Sequence, residues 1–306
     1  MGVYDDFISD RTRGRNPFML CQVFDENKVN KNEEMYIQQK MDGARYCLIA
    51  DEKGVRLIGR NSLKDKSYKY PEIMEEATLL RNLGSIKNCI LDGEIVVEGK
   101  KNTIIKALGL ADMHWIFTDF NALQSREHTE NSRTIELLKE TTPVKFVVFT
   151  SIGKGLSGRY INDKAIIKDI DTAAVNFDKA KELYEEACSL GLEGIVVKKD
   201  LHTYEVGKRS WLWQKWKNKK EIDEKIVGYT SKIRQVSAVL TDKGKCNVAV
   251  RIYDDMILRQ AVDHDEIHNG ETYHIFAEQK LTGVFNCLEI TAQGKMRFPT
   301  LKEVRE

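Results

Sequence analysis

The stretch Gln39-Lys40-Met41-Asp42-Gly43-Ala44-Arg45 sets a lysine beside a tight Asp-Gly turn, with an arginine five residues on. An amine and a guanidinium so placed can close around one phosphate. The pattern is short, and alone it fits a surface hairpin turn equally well. Three later stretches shift that balance. Leu91-Asp92-Gly93-Glu94-Ile95-Val96 places a carboxylate at the start of an apolar strand. Glu193-Gly194-Ile195-Val196-Val197-Lys198 repeats the design with a second carboxylate and a lysine. The segment from Val206 to Lys217 ends in Lys215-Trp216-Lys217, whose two lysines share one face of a strand at period two. Four such elements in this order are improbable by chance.

The surrounding chain reads as an ordinary globular protein. Its 306 residues suggest about two domains. Hydrophobic residues at 42% and charged residues at 31% exclude disordered and low-complexity classes. No apolar run approaches the ~18 residues that span a bilayer. The N-terminal MGVYDDFISDRTRGR lacks the apolar stretch of a secretory leader. Asp6 stands where myristoylation of Gly2 would need Ser or Thr. No membrane association is expected.

The cysteines (Cys21, Cys47, Cys89, Cys188, Cys246 and Cys287) are scattered, with no CxxC pair. This spacing excludes a zinc ribbon and favours reduced, mostly buried thiols. A cytoplasmic protein is therefore expected, with nuclear or organellar placement left open. His264 and His268 do not form HExxH, and their polar surroundings suggest a solvated loop or short turn.

Apolar runs or alternation predict strands over Tyr46–Ala50, Val55–Ile58, Ile90–Val97, Trp115–Phe120, Val144–Phe149 and Ile195–Lys198. Helical periodicity covers Pro71–Asn82, Ser132–Glu140 and Asp178–Leu190, the last with Asp178 as N-cap and Gly191 as its C-terminal glycine. Strands interleaved irregularly with helices indicate an α+β domain over residues 1–217. Beyond Lys219-Lys220-Glu221 the chain reads as short strands over Lys225–Tyr229, Ala238–Leu240, Cys246–Ile252, Tyr273–Glu278, Phe285–Ile290 and Met296–Phe298. With turns at Asp242-Lys243-Gly244 and Ala292-Gln293-Gly294, residues 218–306 suggest a small β-barrel.

The ordered motifs resemble those of the covalent nucleotidyltransferases, most closely the compact ATP-dependent DNA ligases of bacteriophages and bacteria. That family carries K-x-D-G-x-R, D-G-E, F-D-x-L, E-G-x-x-x-K and K-x-K in this order. Phe120-Asn121-Ala122-Leu123 resembles F-D-x-L with Asn121 in place of Asp, followed by Arg133 and Leu137-Leu138 where a helix is expected. Asn16-Pro17-Phe18-Met19-Leu20 resembles the segment that enters the nucleophile strand, and Arg297-Phe298-Pro299 the end of the family's barrel.

The resemblance implies a nucleotidyltransferase (ATP-grasp-like) adenylation domain with antiparallel sheets, followed by an OB-fold barrel that contacts duplex DNA. It implies ATP with Mg²⁺ or Mn²⁺, nicked double-stranded DNA as partner, and a monomer working in a bacterial or phage-infected cell. Lys40 takes the nucleophile role. A lysine that titrates near its ordinary value of ~10.4 is protonated at neutral pH. Lys215, Lys217, Arg45 and a divalent metal are expected to lower that value by crowding positive charge around the amine. Lys215 and Lys217 would stabilise charge on the α-phosphate. Lys198, the lysine of E-G-x-x-x-K, joins the nucleotide-binding set. Glu193 is the first metal ligand, because Mg²⁺ takes few, hard oxygen ligands from protein. Asp42 would organise the lysine turn and the metal's waters. Glu94 resembles the residue that reads the ribose hydroxyls, and each of these carboxylates is alternatively a strand-end surface charge.

Phe120 would stack on adenine, with Phe117 on the opposite face of its strand as rival. Arg60, in Leu57-Ile58-Gly59-Arg60-Asn61, resembles the arginine that holds the nick's 5′-phosphate, and is alternatively an exposed hairpin residue. The family's terminal R-x-D-K stretch has no counterpart before Arg305-Glu306: either Arg305 serves alone, or the role is spread over other barrel residues, or the sequence is truncated, and weaker self-adenylation is the expectation.

RNA ligases and RNA-capping guanylyltransferases share this lysine chemistry and form the enzymatic alternative. A non-catalytic OB-fold nucleic-acid-binding protein is the alternative from another class. The formal charge of +1, from 48 Lys+Arg against 47 Asp+Glu, argues against a protein that coats nucleic acid. Yet residues 198–220 hold eight lysines and arginines against two acids, a local excess suited to phosphate.

Overall fold

The computed structural model describes residues 2–98, 105–106, 111, 113–154, 165–232, 235–248, 253–268, 270–291 and 293–306. The chain divides into two compact units, Met1–Lys217 and Asn218–Glu306.

The first unit is built on two five-stranded sheets. One runs in the order Leu20–Val23, Arg209–Lys217, Gly194–Lys198, Met35–Gln39, Thr172–Val175. The other runs Gly54–Gly59, Ala44–Asp51, Lys87–Val97, Val144–Lys154, Ile167–Asp169. Pairing is antiparallel except at one edge of each sheet, where Leu20–Val23 and Ile167–Asp169 run parallel to their neighbours. Alternation along Ala44–Asp51 explains why both of its faces are apolar. Tyr46, Leu48 and Ala50 join the core shared with Ile73, Ala77 and Leu80 of the helix Pro71–Asn82. Cys47 and Ile49 face the other way, in a core with Phe7, Phe18, Tyr204 and Trp213. The first sheet likewise puts Ile37, Ile195 and Val197 against Ala180, Leu183 and Ala187 of the helix Phe177–Ser189.

Three local expectations change. The helix expected from Asp178 begins at Phe177, and its cap is Asn176, whose Oδ1 accepts from the Lys179 N–H at 2.9 Å. Asp178 instead places its charge in the first turn, where the helix dipole favours it. The strand expected over Trp115–Phe120 is confined to His114–Trp115. Phe120 opens the helix Phe120–His128, because the Asp119 carboxylate caps it by accepting from the Ala122 N–H at 2.9 Å.

The second unit packs a three-stranded sheet (Lys220–Lys225, Thr282–Cys287, Thr300–Arg305) and a five-stranded one around Ile226, Val239, Cys246, Ile257 and Phe285. The chain turns from one sheet into the other at residues 226–227. The Ile226 N–H donates to Leu281 and the Val227 N–H to Leu240, each at 2.9 Å. Among the described residues the pairing does not close into a continuous barrel. The expected strand Cys246–Ile252 is seen as Gly244–Asn247, and residues 249–252 lie outside the described residues. The expected loop around His264 and His268 is instead the strand Val262–His268, paired with Glu271–Phe276. Residues 262–267 are exposed on both faces, so the strand carries no apolar alternation to announce it.

Candidate active site

The site forms where the chain crosses between the sheets of the first unit. Met35–Gln39 belongs to one sheet and Ala44–Asp51 to the other, so Lys40–Gly43 make the crossing. Gly43 is required there by contact. A Cβ would stand 2.3 Å from the Ile95 carbonyl oxygen and 2.8 Å from Glu94 Cγ. The Lys40 N–H donates to the Gly194 carbonyl at 2.9 Å, which fixes the crossing to the strand behind it. Gln39 adds a two-way amide clamp, accepting from the Ile116 N–H and donating to the Ile116 carbonyl, both at 2.7 Å.

One carboxylate gathers the lysines. Lys40 Nζ donates to Glu193 Oε2 at 2.8 Å, and Lys217 Nζ lies 2.9 Å from Glu193 Oε1. Strand register explains the convergence, because Gly194 pairs with Lys217 directly across the ladder. Lys40, Lys198, Lys215 and Lys217 line a cleft of about 240 Å³, together with Arg60 and Glu94. Its other walls include Gln38, Phe149 and Trp213.

The charges behave differently from a simple sum of cations. Burial pulls the Lys40 pKa down, but Glu193 and then Glu94 outweigh it and hold the ammonium above its ordinary value. The expected lowering counted a divalent metal among the charges; with the protein's own groups alone the shift is upward, because the nearest charged neighbours of Lys40 are carboxylates. Lys215 is lowered, first by burial and then by Lys217. Lys198 is pushed down by burial to about 7. Its Nζ donates to the Phe149 carbonyl at 2.6 Å and lies 4.1 Å from the Trp213 ring centroid. Burial raises Glu94 to about 7 against the pull of Lys40 and Arg45.

Arg45 lines the cleft, but its guanidinium is already engaged. It donates to both Asp92 oxygens, at 3.0 and 2.7 Å, and to the Met19 carbonyl at 2.8 Å. Tyr204 completes the knot, donating to Asp92 at 2.8 Å and accepting from the Met19 N–H at 3.0 Å. Arg60 lines this cleft and a second one beside it, and its Nε is buried without a hydrogen-bond partner. Burial, then Arg45, lowers its pKa.

Asp42 lies half-buried in the crossing and lines neither cleft. Phe120 lines the second cleft with Arg60, Glu94 and Glu127, whereas the aromatic walls of the Lys40 cleft are Phe149 and Trp213. Phe117 packs instead against the core beneath the first sheet. The sequence reading missed Gln38, Phe149, Trp213 and Tyr204. A signal for Gln38 existed, since it stands two residues before Lys40 at strand period. Nothing local marks Tyr204, which meets Asp92 across 112 residues.

The sequence and the fold both find matches among known proteins. The family model of the ATP dependent DNA ligase domain matches residues 18–153 and 159–217. DNA ligase 1 of Methanosarcina acetivorans is 27% identical over 222 residues, covering 65% of this chain and 36% of that protein. The SPbeta prophage-derived DNA ligase-like protein LigB of Bacillus subtilis is 27% identical over 234 residues, covering 71% of this chain and 72% of its own. The chain thus spans about a third of the length of the archaeal relatives it matches. Among solved structures, Pmar-Lig_PreS3 superposes with a TM-score of 0.65 at 17% identity, covering 98% of this chain and 71% of that one. A Lig E DNA ligase, studied for DNA binding with a minimal scaffold, gives 0.61 at 15% identity, covering 94% and 99%. These likenesses establish a shared fold. The matched family model covers most of the chain and includes every motif around the cleft, so this chain belongs to the ATP-dependent DNA ligase domain family.

Proposed function

We propose that the protein seals nicks in duplex DNA at the expense of ATP. One observation carries the reading: Lys40 and Lys217 hold the two oxygens of Glu193 at 2.8 and 2.9 Å, in a cleft walled by further cations. In the first step the Lys40 amine attacks the α-phosphorus of ATP. An N–P bond forms, the bond to the β-phosphate breaks, and pyrophosphate leaves with the electron pair. In the second, an oxygen of the 5′-phosphate at the nick takes the AMP from Lys40. In the third, the 3′-hydroxyl attacks that 5′-phosphorus and AMP departs.

Lys215 and Lys217 face the charge that develops on the α-phosphate oxygens. Glu94 is assigned to the ribose, Arg60 with its unpartnered Nε to the 5′-phosphate, and Lys198 to the inner end of the nucleotide pocket. The base is assigned to the Phe149 and Trp213 walls of the Lys40 cleft rather than to Phe120, which lines the second cleft. Arg45, through Asp92, holds the wall of the pocket in place.

Among the described residues no group of three or more His, Cys, Asp or Glu could hold a metal. That suits Mg²⁺ or Mn²⁺ bound by Glu193, with Asp42 supporting its waters, since such ions take one or two carboxylates plus substrate phosphates. The ion would supply neutralisation of phosphate charge. Because Glu193 holds Lys40 as an ammonium, Lys40 must part from that carboxylate and lose a proton before it attacks.

Incubation with ATP and Mg²⁺ should add the mass of one AMP, and Lys40→Ala should abolish the adduct. Lys217→Ala should slow its formation by on the order of 10²-fold while the fold stays intact. A persistent adduct in Lys40→Ala would refute the nucleophile assignment. Nicked DNA and nicked RNA duplexes assayed side by side with ATP, GTP or NAD⁺ separate the enzymatic readings. Turnover with none of them would favour the binding-module alternative.

A further inference from the structure

Trp216 stands between Lys215 and Lys217 and projects from the opposite face of the strand Arg209–Lys217. Its indole is the middle ring of a three-ring stack. Phe24 lies on one side at 3.9 Å between centroids and 3° between planes, and Tyr184 on the other at 4.3 Å and 14°. Each outer residue also bonds the backbone of a neighbouring lysine. The Phe24 N–H donates to the Lys215 carbonyl at 3.0 Å, and Tyr184 Oη donates to the Lys217 carbonyl at 3.1 Å. Phe24 follows the edge strand Leu20–Val23, whereas Tyr184 comes from the helix Phe177–Ser189. Two separate elements therefore grip the same three residues, each through a ring and a hydrogen bond.

We propose that Phe24, Trp216 and Tyr184 are positioning residues that set the direction of the Lys215 and Lys217 amines; this rests on the nucleotidyl-transfer reading given above. A lysine amine sits on a flexible four-carbon stem, so its placement depends on how firmly its own backbone is held. Lys217 is also the last residue of its strand and of the first unit. The stack supplies the brace from behind. Misplacing a reacting group by about 1 Å can cost on the order of 10²-fold in rate, so such a brace has a kinetic value apart from stability.

The test compares Lys40–AMP formation by Trp216→Leu, Trp216→Phe and Tyr184→Phe, in the full chain and well below each variant's melting temperature. Trp216→Leu should lower the maximal adenylation rate by on the order of 10-fold or more while KM for ATP stays within roughly threefold. Trp216→Phe, which restores a stacking ring, should recover most of the rate. Tyr184→Phe keeps its ring and loses one hydrogen bond, and should fall between them. If Trp216→Leu does not fold, Phe24→Leu and Tyr184→Leu carry the same expectation. A folded leucine variant with a wild-type maximal rate overturns the inference, as does a rate loss that phenylalanine fails to restore. Absence of the adduct in the unaltered protein would overturn the nucleotidyl-transfer reading itself, before any variant is compared.

Discussion

Asp92→Ala tests how the crossing that carries Lys40 is held together. The Asp92 side chain is fully buried and receives three hydrogen bonds, two from Arg45 and one from Tyr204, at 2.7 to 3.0 Å. Without it the Arg45 guanidinium, whose side chain is 11% exposed, keeps the Met19 carbonyl and the faces of Phe18 and Phe149. Those contacts leave its charge uncompensated. Removing one member of a buried ion pair costs about 3–5 kcal/mol. The stranded Tyr204 hydroxyl belongs to the same network, so its cost is not added separately. At ~2–4 °C per kcal/mol for a unit of this size, the melting temperature should fall by roughly 6–20 °C. Urea unfolding followed by tryptophan fluorescence and circular dichroism measures the loss. Arg45→Met combined with Asp92→Leu should recover at least half of it, because a neutral apolar pair leaves no buried charge. The reasoning fails if Asp92→Ala costs below about 1 kcal/mol, or if the double variant loses the sum of its parts.

Two further substitutions probe the same region. Gly43→Ala drives a methyl against the Ile95 carbonyl, on a strand paired along both edges, and should cost about 1–3 kcal/mol in urea unfolding; an unchanged midpoint would show that the crossing can yield. Lys198 titrates near 7 in the fold against ~10.4 unfolded, so its favourable contribution is complete above the unfolded value and is lost as pH falls through 7. Relative to Lys198→Met, the wild type should gain up to ~1.4 kcal/mol per pH unit between those values, and a pH-independent difference would contradict the neutral buried amine.

Much of the site was legible because its chemistry is spaced locally. Lys40 with Gly43, Glu193 with Lys198, and Lys215 with Lys217 each declare themselves within one strand or turn. The helix Pro71–Asn82 was likewise readable to its ends from a proline start and clear periodicity. Phe120 misled because Trp115-Ile116-Phe117 continues an apolar run, whereas one carboxylate, that of Asp119, commits the next residues to a helix. Val262–His268 misled in the opposite direction, since its hydrogen bonds to Glu271–Phe276 make it a strand without burying its side chains. The charge around Lys40 was only partly legible, because the motifs show which cations and which metal could gather but not which of the protein's own charges stand nearest. Among those, Glu193 at 2.8 Å holds the ammonium above its ordinary value.

By itself, then, the amino-acid order carried the motifs by which the chain resembles its family, singled out Lys40 as the candidate nucleophile, set the division near residue 217 as an expectation, and showed the basic strip hidden within a near-neutral chain. These depend on residue types at short spacing, which backbone periodicity converts directly into shared faces. Tertiary structure alone decided the rest. It engaged Arg45 with Asp92 and Tyr204, placed Phe149 rather than Phe120 beside the lysine, suspended Lys40 and Lys217 from one carboxylate, and stacked Phe24 and Tyr184 on Trp216. Each of these contacts joins separate elements of the chain, which strand pairing within a sheet, the packing of the two sheets and the helix Phe177–Ser189 bring within hydrogen-bonding or van der Waals reach.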